Sequence, residues 1–120
     1  MSATAKFRAE LLKLMPGYNW TVHKTSSENL LKATGIRTSG FNRLSTLSVI
    51  RADRNGSVTY EAKSAGHGLR AKWLHSHKDG TLARVLRGLQ DHYEAKAATY
   101  RAHANALIAG RVAEEFREVE

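Results

Sequence analysis

Asn55-Gly56 leaves the middle of this chain few options. An Asn-Gly pair between two apolar-rich runs favours a two-residue type I′ turn, because both central residues take φ > 0 and the turn's twist then suits the flanking strands. Leu44 to Asp53 and Ser57 to Ser64 are those runs. A two-residue turn sets the register: Arg54 opposes Ser57, Asp53 opposes Val58, Arg51 opposes Tyr60, Ile50 opposes Glu61, Val49 opposes Ala62, and Ser48 opposes Lys63. Strand side chains alternate faces. One face therefore carries Leu47, Val49, Arg51, Asp53, Val58, Tyr60 and Ala62, and the other Ser48, Ile50, Thr59, Glu61 and Lys63. The first is the expected core side, with Arg51 laying its stem along apolar surface to reach water.

Around this hairpin the pattern is less regular. Ala5 to Met15 has apolar residues at helical spacing, and Pro16-Gly17 ends it. Tyr18 to His23 alternates with period two, which predicts a strand. Ser26 or Ser27 is placed to cap a turn of helix through Leu31 and Ala33, with Gly35 to Gly40 a polar loop and Phe41 just beyond. Ala65 to Asp79 reads as a polar connection anchored by Leu69 and Leu74. Asp79 or Thr81 then caps a long helix with Leu82, Leu86, Leu89, Tyr93, Tyr100 and Leu107 in one stripe. Gly110 is a candidate break, and Val112, Phe116 and Val119 continue the pattern past it. The expected fold class is α+β: a short N-terminal helix, a small antiparallel sheet of about three strands, and a long C-terminal helix packed on it. A helix of nearly forty residues is about 60 Å long, so in a small domain it bends back or projects. Leu86, Tyr93, Tyr100 and Leu107 recur every seven residues and form a candidate interface, most simply for a homodimer.

The 120 residues suit a single domain. The absence of cysteine excludes disulfides, thiolate chemistry and cysteine-ligated zinc, and fits a reducing cytoplasm. No signal peptide is expected, since Lys6, Arg8 and Glu10 interrupt the first apolar residues. No apolar run reaches membrane-spanning length, so no membrane partner is expected. Charge is the strongest global signal. Residues 1–113 hold 18 basic and 7 acidic side chains, a basic domain of +11, while 114–120 is an acidic end of −3. Such a surface attracts polyanions, with DNA or RNA first among them and an acidic protein partner second.

The 65–78 connection is the leading functional candidate. Arg70, Lys72 and Lys78 supply phosphate partners. Trp73 between them is either a stacking or wedging platform or a plug under the loop. Gly66 and Gly68, flanking His67, allow backbone N–H groups to approach a phosphate. Arg84 and Arg87 fall in the first turns of the long helix, where the dipole disfavours a cation, and Arg37 and Arg43 flank the other glycine-containing loop. All of these are candidate nucleic-acid contacts. His75, His77 and Asp79 are candidates for a metal site, since His-x-His reaches one ion only from an extended segment. No cofactor is expected, and no phosphate loop, dinucleotide fingerprint or G-x-S-x-G elbow occurs.

Glu61-Ala62-Lys63 resembles the E-x-K half of the restriction-endonuclease-like nuclease motif, and the α-β-β-β-α order is similar to that family's core. The resemblance covers about residues 44–64. It implies a Mg²⁺-dependent nuclease in which Glu61 binds the metal and Lys63 activates water. The second carboxylate is missing, because the register places Asp53 on the face opposite Glu61, and Glu10 would have to reach in from the first helix. The element order is also similar to a double-stranded RNA-binding domain, but Leu82-Ala83-Arg84 lacks that family's lysine-rich helix start. The leading expectation is a non-enzymatic nucleic-acid-binding or nucleoprotein accessory protein, a basic DNA- or RNA-binding dimer paired through its last helix. The alternatives are a protein-interaction module acting through its long helix, and the nuclease.

Overall fold

The structure, a computed structural model, describes residues 2–27, 29–68 and 70–119, the last eight of these by backbone alone. Helix α1 spans Ala3–Leu14. Ser2 caps it, its Oγ accepting from the Ala5 N–H at 3.1 Å. Phe7 and Leu11, one turn apart, bury its inner face. Five strands follow: β1 Asn19–His23, β2 Leu30–Ser39, β3 Asn42–Arg54, β4 Ser57–Ala65 and β5 Trp73–Asp79. They form one antiparallel sheet in the order β1-β2-β3-β4-β5, and helix α2 then spans Leu82–Val119.

The fold is α+β, with a sheet of five strands where about three were expected. The central hairpin has the expected register throughout, from Arg54↔Ser57 to Ser48↔Lys63. Asn55 and Gly56 both take positive φ, 55° and 86°, as a type I′ turn requires. The corrections fall on either side of it. The stretch expected as a helical turn and a polar loop, from Ser26 to Gly40, is mostly β2. Its inward positions are Leu31, Ala33 and Gly35, and the last two are too small to read as an apolar strand face. Gly35 has a specific reason: a Cβ there would stand 2.7 Å from the Trp20 ring, which lies against its backbone from β1. The polar connection also contains β5, an edge strand whose inward side chains are His75, His77 and Asp79. Leu74 does not anchor that segment, being 63% exposed, and Leu69 lies outside the described residues. With five strands, the three-strand order behind both family resemblances does not hold.

One face of the sheet is the core. Trp20, Leu31, Ala33, Leu47, Val49, Tyr60 and Ala62 line it, covered by Phe7 and Leu11 of α1 and by Leu82, Val85 and Leu89 of α2. Arg51 sits on that face with its Nε donating to the Tyr60 hydroxyl at 3.2 Å. Thr81, not Asp79, caps α2, its Oγ1 accepting from the Arg84 N–H at 3.2 Å. Gly88 of α2 abuts the His77 ring.

The described chain divides into two compact units between Leu89 and Gln90, within α2. The first holds α1, the sheet and the opening turns of α2. The second is the remainder of α2, helical straight through Gly110 and across the change of charge sign at 113/114. Every residue from Glu94 to Arg111 is exposed. Among the described residues, no helix is long and apolar enough to cross a membrane.

Candidate functional site

Antiparallel pairing collects three chain reversals at one end of the sheet. The β2–β3 turn is Gly40-Phe41, closed by Ser39↔Asn42. The β4–β5 connection leaves at Ala65 and returns at Trp73, which pair with each other, and β1 starts at the same end with Asn19↔Ile36. Two contacts tie these reversals together. The Gly68 N–H donates to the Arg43 carbonyl at 2.9 Å, with Gly68 at φ 107°. On the other side, a Cβ on Gly17 would lie 3.7 Å from the Arg37 guanidinium.

This end presents an unusual mixture of side chains. Phe41 is fully exposed at the turn tip and Trp73 is 51% exposed. Arg37, His67, Arg70 and Lys72 are exposed around them. Arg43 is half-buried, and its Nε is enclosed with no hydrogen-bond partner in the structure. Lys63, Trp73, Leu74, His75 and Ser76 line a shallow groove of about 460 Å³ over the edge strand. The sequence from Leu30 to Ala52 contains no carboxylate, and neither does Ala62 to Lys78. Asp53 and Asp79 lie toward the opposite end, where the Asn55-Gly56 turn reverses the chain.

The candidate nucleic-acid contacts therefore separate. Arg37, Arg43, His67, Arg70, Lys72 and Trp73 gather at this end. Lys78 lies further along β5 on the open sheet face, 3.5 Å from Glu61. Arg84 and Arg87 are on α2, which packs on the other face. Phe41, expected just beyond a polar loop, is the tip of the β2–β3 turn. The signal that could have found it is a bulky aromatic directly after Gly40 at a tight reversal, where turn chemistry asks for small polar residues.

The other candidates also have definite places. Glu61 and Lys63 share the open face 3.8 Å apart, and Lys78 flanks Glu61 from the next strand. Asp53 lies on the helix-covered face, its Oδ1 accepting from the Gly56 N–H at 3.0 Å. Glu10 lines a groove with Phe7, Leu31, Arg51 and Tyr60, also on the helix side. Neither carboxylate reaches Glu61. His75, His77 and Asp79 share one face of β5, which meets the extended geometry a His-x-His pair needs, with His77 Nε2 4.0 Å from Asp79 Oδ2. No group of three or more potential metal ligands occurs among the described residues.

Along the seven-residue stripe, Leu86 packs against the core of the first unit. Tyr93 is half-buried with the His92 ring edge-on at 5.3 Å. Tyr100 and Leu107 are 67% and 61% exposed.

No protein-family model, curated protein or solved structure matches the chain. Its function has to be read from these residues alone.

Proposed function

We propose that this protein is a non-enzymatic nucleic-acid-binding protein, and that it meets its ligand with the end of the sheet that holds the Gly40-Phe41 turn, residues 66–68 and residues 70–72. One observation carries the reading. Segments distant in sequence bring Arg37, Arg43, Arg70 and Lys72 to one end, beside exposed Phe41 and Trp73, and no carboxylate lies in those segments to neutralise them. Cations placed this way attract phosphates and release counterions on contact, so binding weakens steeply with salt. Gly68 keeps its loop backbone open to close approach by having no side chain.

The test is fluorescence anisotropy with labelled DNA and RNA between about 50 and 200 mM salt. The expected result is sub-micromolar affinity at the low end, falling linearly on a log–log plot. Replacing Arg70 and Lys72 together by alanine should reduce the slope by about 1.5 to 2. Affinities no better than micromolar at low salt for every nucleic acid would overturn the reading.

A second reading rests on α2. Tyr100, Leu107 and Ile108 are exposed large side chains on a helix exposed on all sides from Glu94 to Arg111. Association with a second copy through this segment is the simplest use of them. It is compatible with the first reading. Retention of an acidic protein by the immobilised chain after nuclease treatment would instead favour a protein-interaction module.

A further inference from the structure

We infer that the nucleic acid accepted at this end is single-stranded, with unpaired bases stacking on Trp73 and Phe41 while the neighbouring cations hold the phosphates. This rests on the nucleic-acid reading above and narrows its ligand.

A half-exposed indole and a fully exposed phenyl ring leave apolar surface in water, and Phe41 does no packing where it stands. Bases within a duplex offer their edges and backbone, their faces being already stacked. Unpaired bases offer π-faces of any sequence, and aromatic or guanidinium planes receive them. The surroundings fit that use. Trp73 is not an isolated ring but one wall of the groove that also holds Lys63, Leu74 and Ser76, so a base on the indole has a cation and an apolar neighbour within the same depression.

Spacing fits as well. Thr46 of β3 is level with Ala65, and Ala65 with Trp73. Phe41 lies in the β2–β3 turn beyond Thr46, at most about 16 Å along the strand direction at 3.3 Å per residue, the irregularity at Leu44 shortening the run. Arg43 and the Gly68 backbone meet between the two aromatics. The two aromatics thus flank the junction of the β2–β3 turn with the β4–β5 connection, over a span of several nucleotides, the size of site that single-strand binders use. The open sheet face beside it carries Thr34, Ser48 and Ser76, small polar side chains that leave a strand room to lie flat, with Lys63 among them as a further phosphate partner.

The molecule contains its own reporter. Trp20 is buried and its Nε1 donates to the Met15 carbonyl at 3.0 Å, so Trp73 is the indole that a ligand can touch. The experiment titrates the full chain with an oligothymidine of about 20 nucleotides and, separately, with a hairpin duplex of mixed sequence. Tryptophan emission and anisotropy are read together. The expected result is tighter binding of the single strand with quenched emission, quenching that disappears in Trp73→Phe while binding persists, and affinity reduced on the order of ten-fold in Trp73→Ala. Phe41→Ala, at a position that contributes nothing to the core, should weaken single-strand binding too and guards against a folding effect at Trp73. Duplex binding as tight as single-strand binding, with emission unchanged, would overturn the inference and leave the nucleic-acid reading standing. Binding of neither at low salt would overturn both.

Discussion

Arg43 illustrates how a single side chain can be poor for stability and useful for contact. A buried guanidinium donor left without an acceptor is costly, because its water is lost and nothing replaces it. Arg43→Met keeps the stem and removes that donor. The expected outcome is a thermal midpoint equal to or above that of the native chain, with nucleic-acid affinity lower on the order of ten-fold in the same preparation. A fall in both would assign Arg43 to the fold. Glu61 supports the opposite test. Its carboxylate neutralises Lys63 and Lys78, both partly exposed, and exposed pairs of this kind contribute at most about 1 kcal/mol. Glu61→Gln should therefore leave stability nearly unchanged and tighten anion binding, as measured by anisotropy. A metal-dependent nuclease would behave differently, losing Mg²⁺-dependent cleavage on the same substitution.

Among the elements, β1 and β2 depend on one close approach. The Trp20 ring lies on the Gly35 backbone, and an added methyl would meet ring carbons at 2.7 and 2.8 Å. Gly35→Ala is expected to destabilise the protein by about 1–3 kcal/mol in urea denaturation, with the slope unchanged. For α2, glutamate at both Tyr100 and Leu107 should abolish self-association in sedimentation equilibrium without altering the far-ultraviolet helix signal. A native chain that is monomeric at every concentration would retire the paired-helix reading. What was legible in the sequence follows the same division. The β3–β4 register could be read because an Asn-Gly turn is local and its geometry fixes the pairing. Strand β2 could not, because Ala33 and Gly35 point inward, and their burial depends on Trp20 in another strand. Nor could β5, whose inward residues are two histidines and an aspartate and whose place is set by β4 and α2. For the site, the basic and aromatic content of 65–78 was plain. Its union with the β2–β3 turn was not, since that depends on the bond from Gly68 to Arg43. The separation of Lys78 from Arg84 and Arg87 likewise required knowing which face α2 covers.

At the scale of the sheet-bearing unit, charge is distributed lengthwise. The 13-residue β3 runs from the Phe41 turn to the Asn55 turn, about 40 Å, several times the screening length at physiological salt. Equal changes of charge at the two ends should therefore have unequal effects. Lys72→Glu is expected to lower nucleic-acid affinity on the order of ten-fold at about 100 mM salt, and Arg54→Glu, beside the far turn, much less. Equal losses would mean that net charge alone governs attraction and that the end with the exposed aromatics has no privileged role.

Each described strand of the sheet pairs with its neighbours along the chain. No long loop must close before pairing can begin, so the entropic barrier to assembly is low and strand order imposes little delay. The tightest reversal, at Asn55-Gly56, is the natural starting point for a zipper that spreads outward in both directions. Most molecules of such a chain should reach the native state in a rapid phase, in milliseconds rather than seconds, leaving incomplete sheets little time to find one another, with a minor slow phase from the Met15–Pro16 bond.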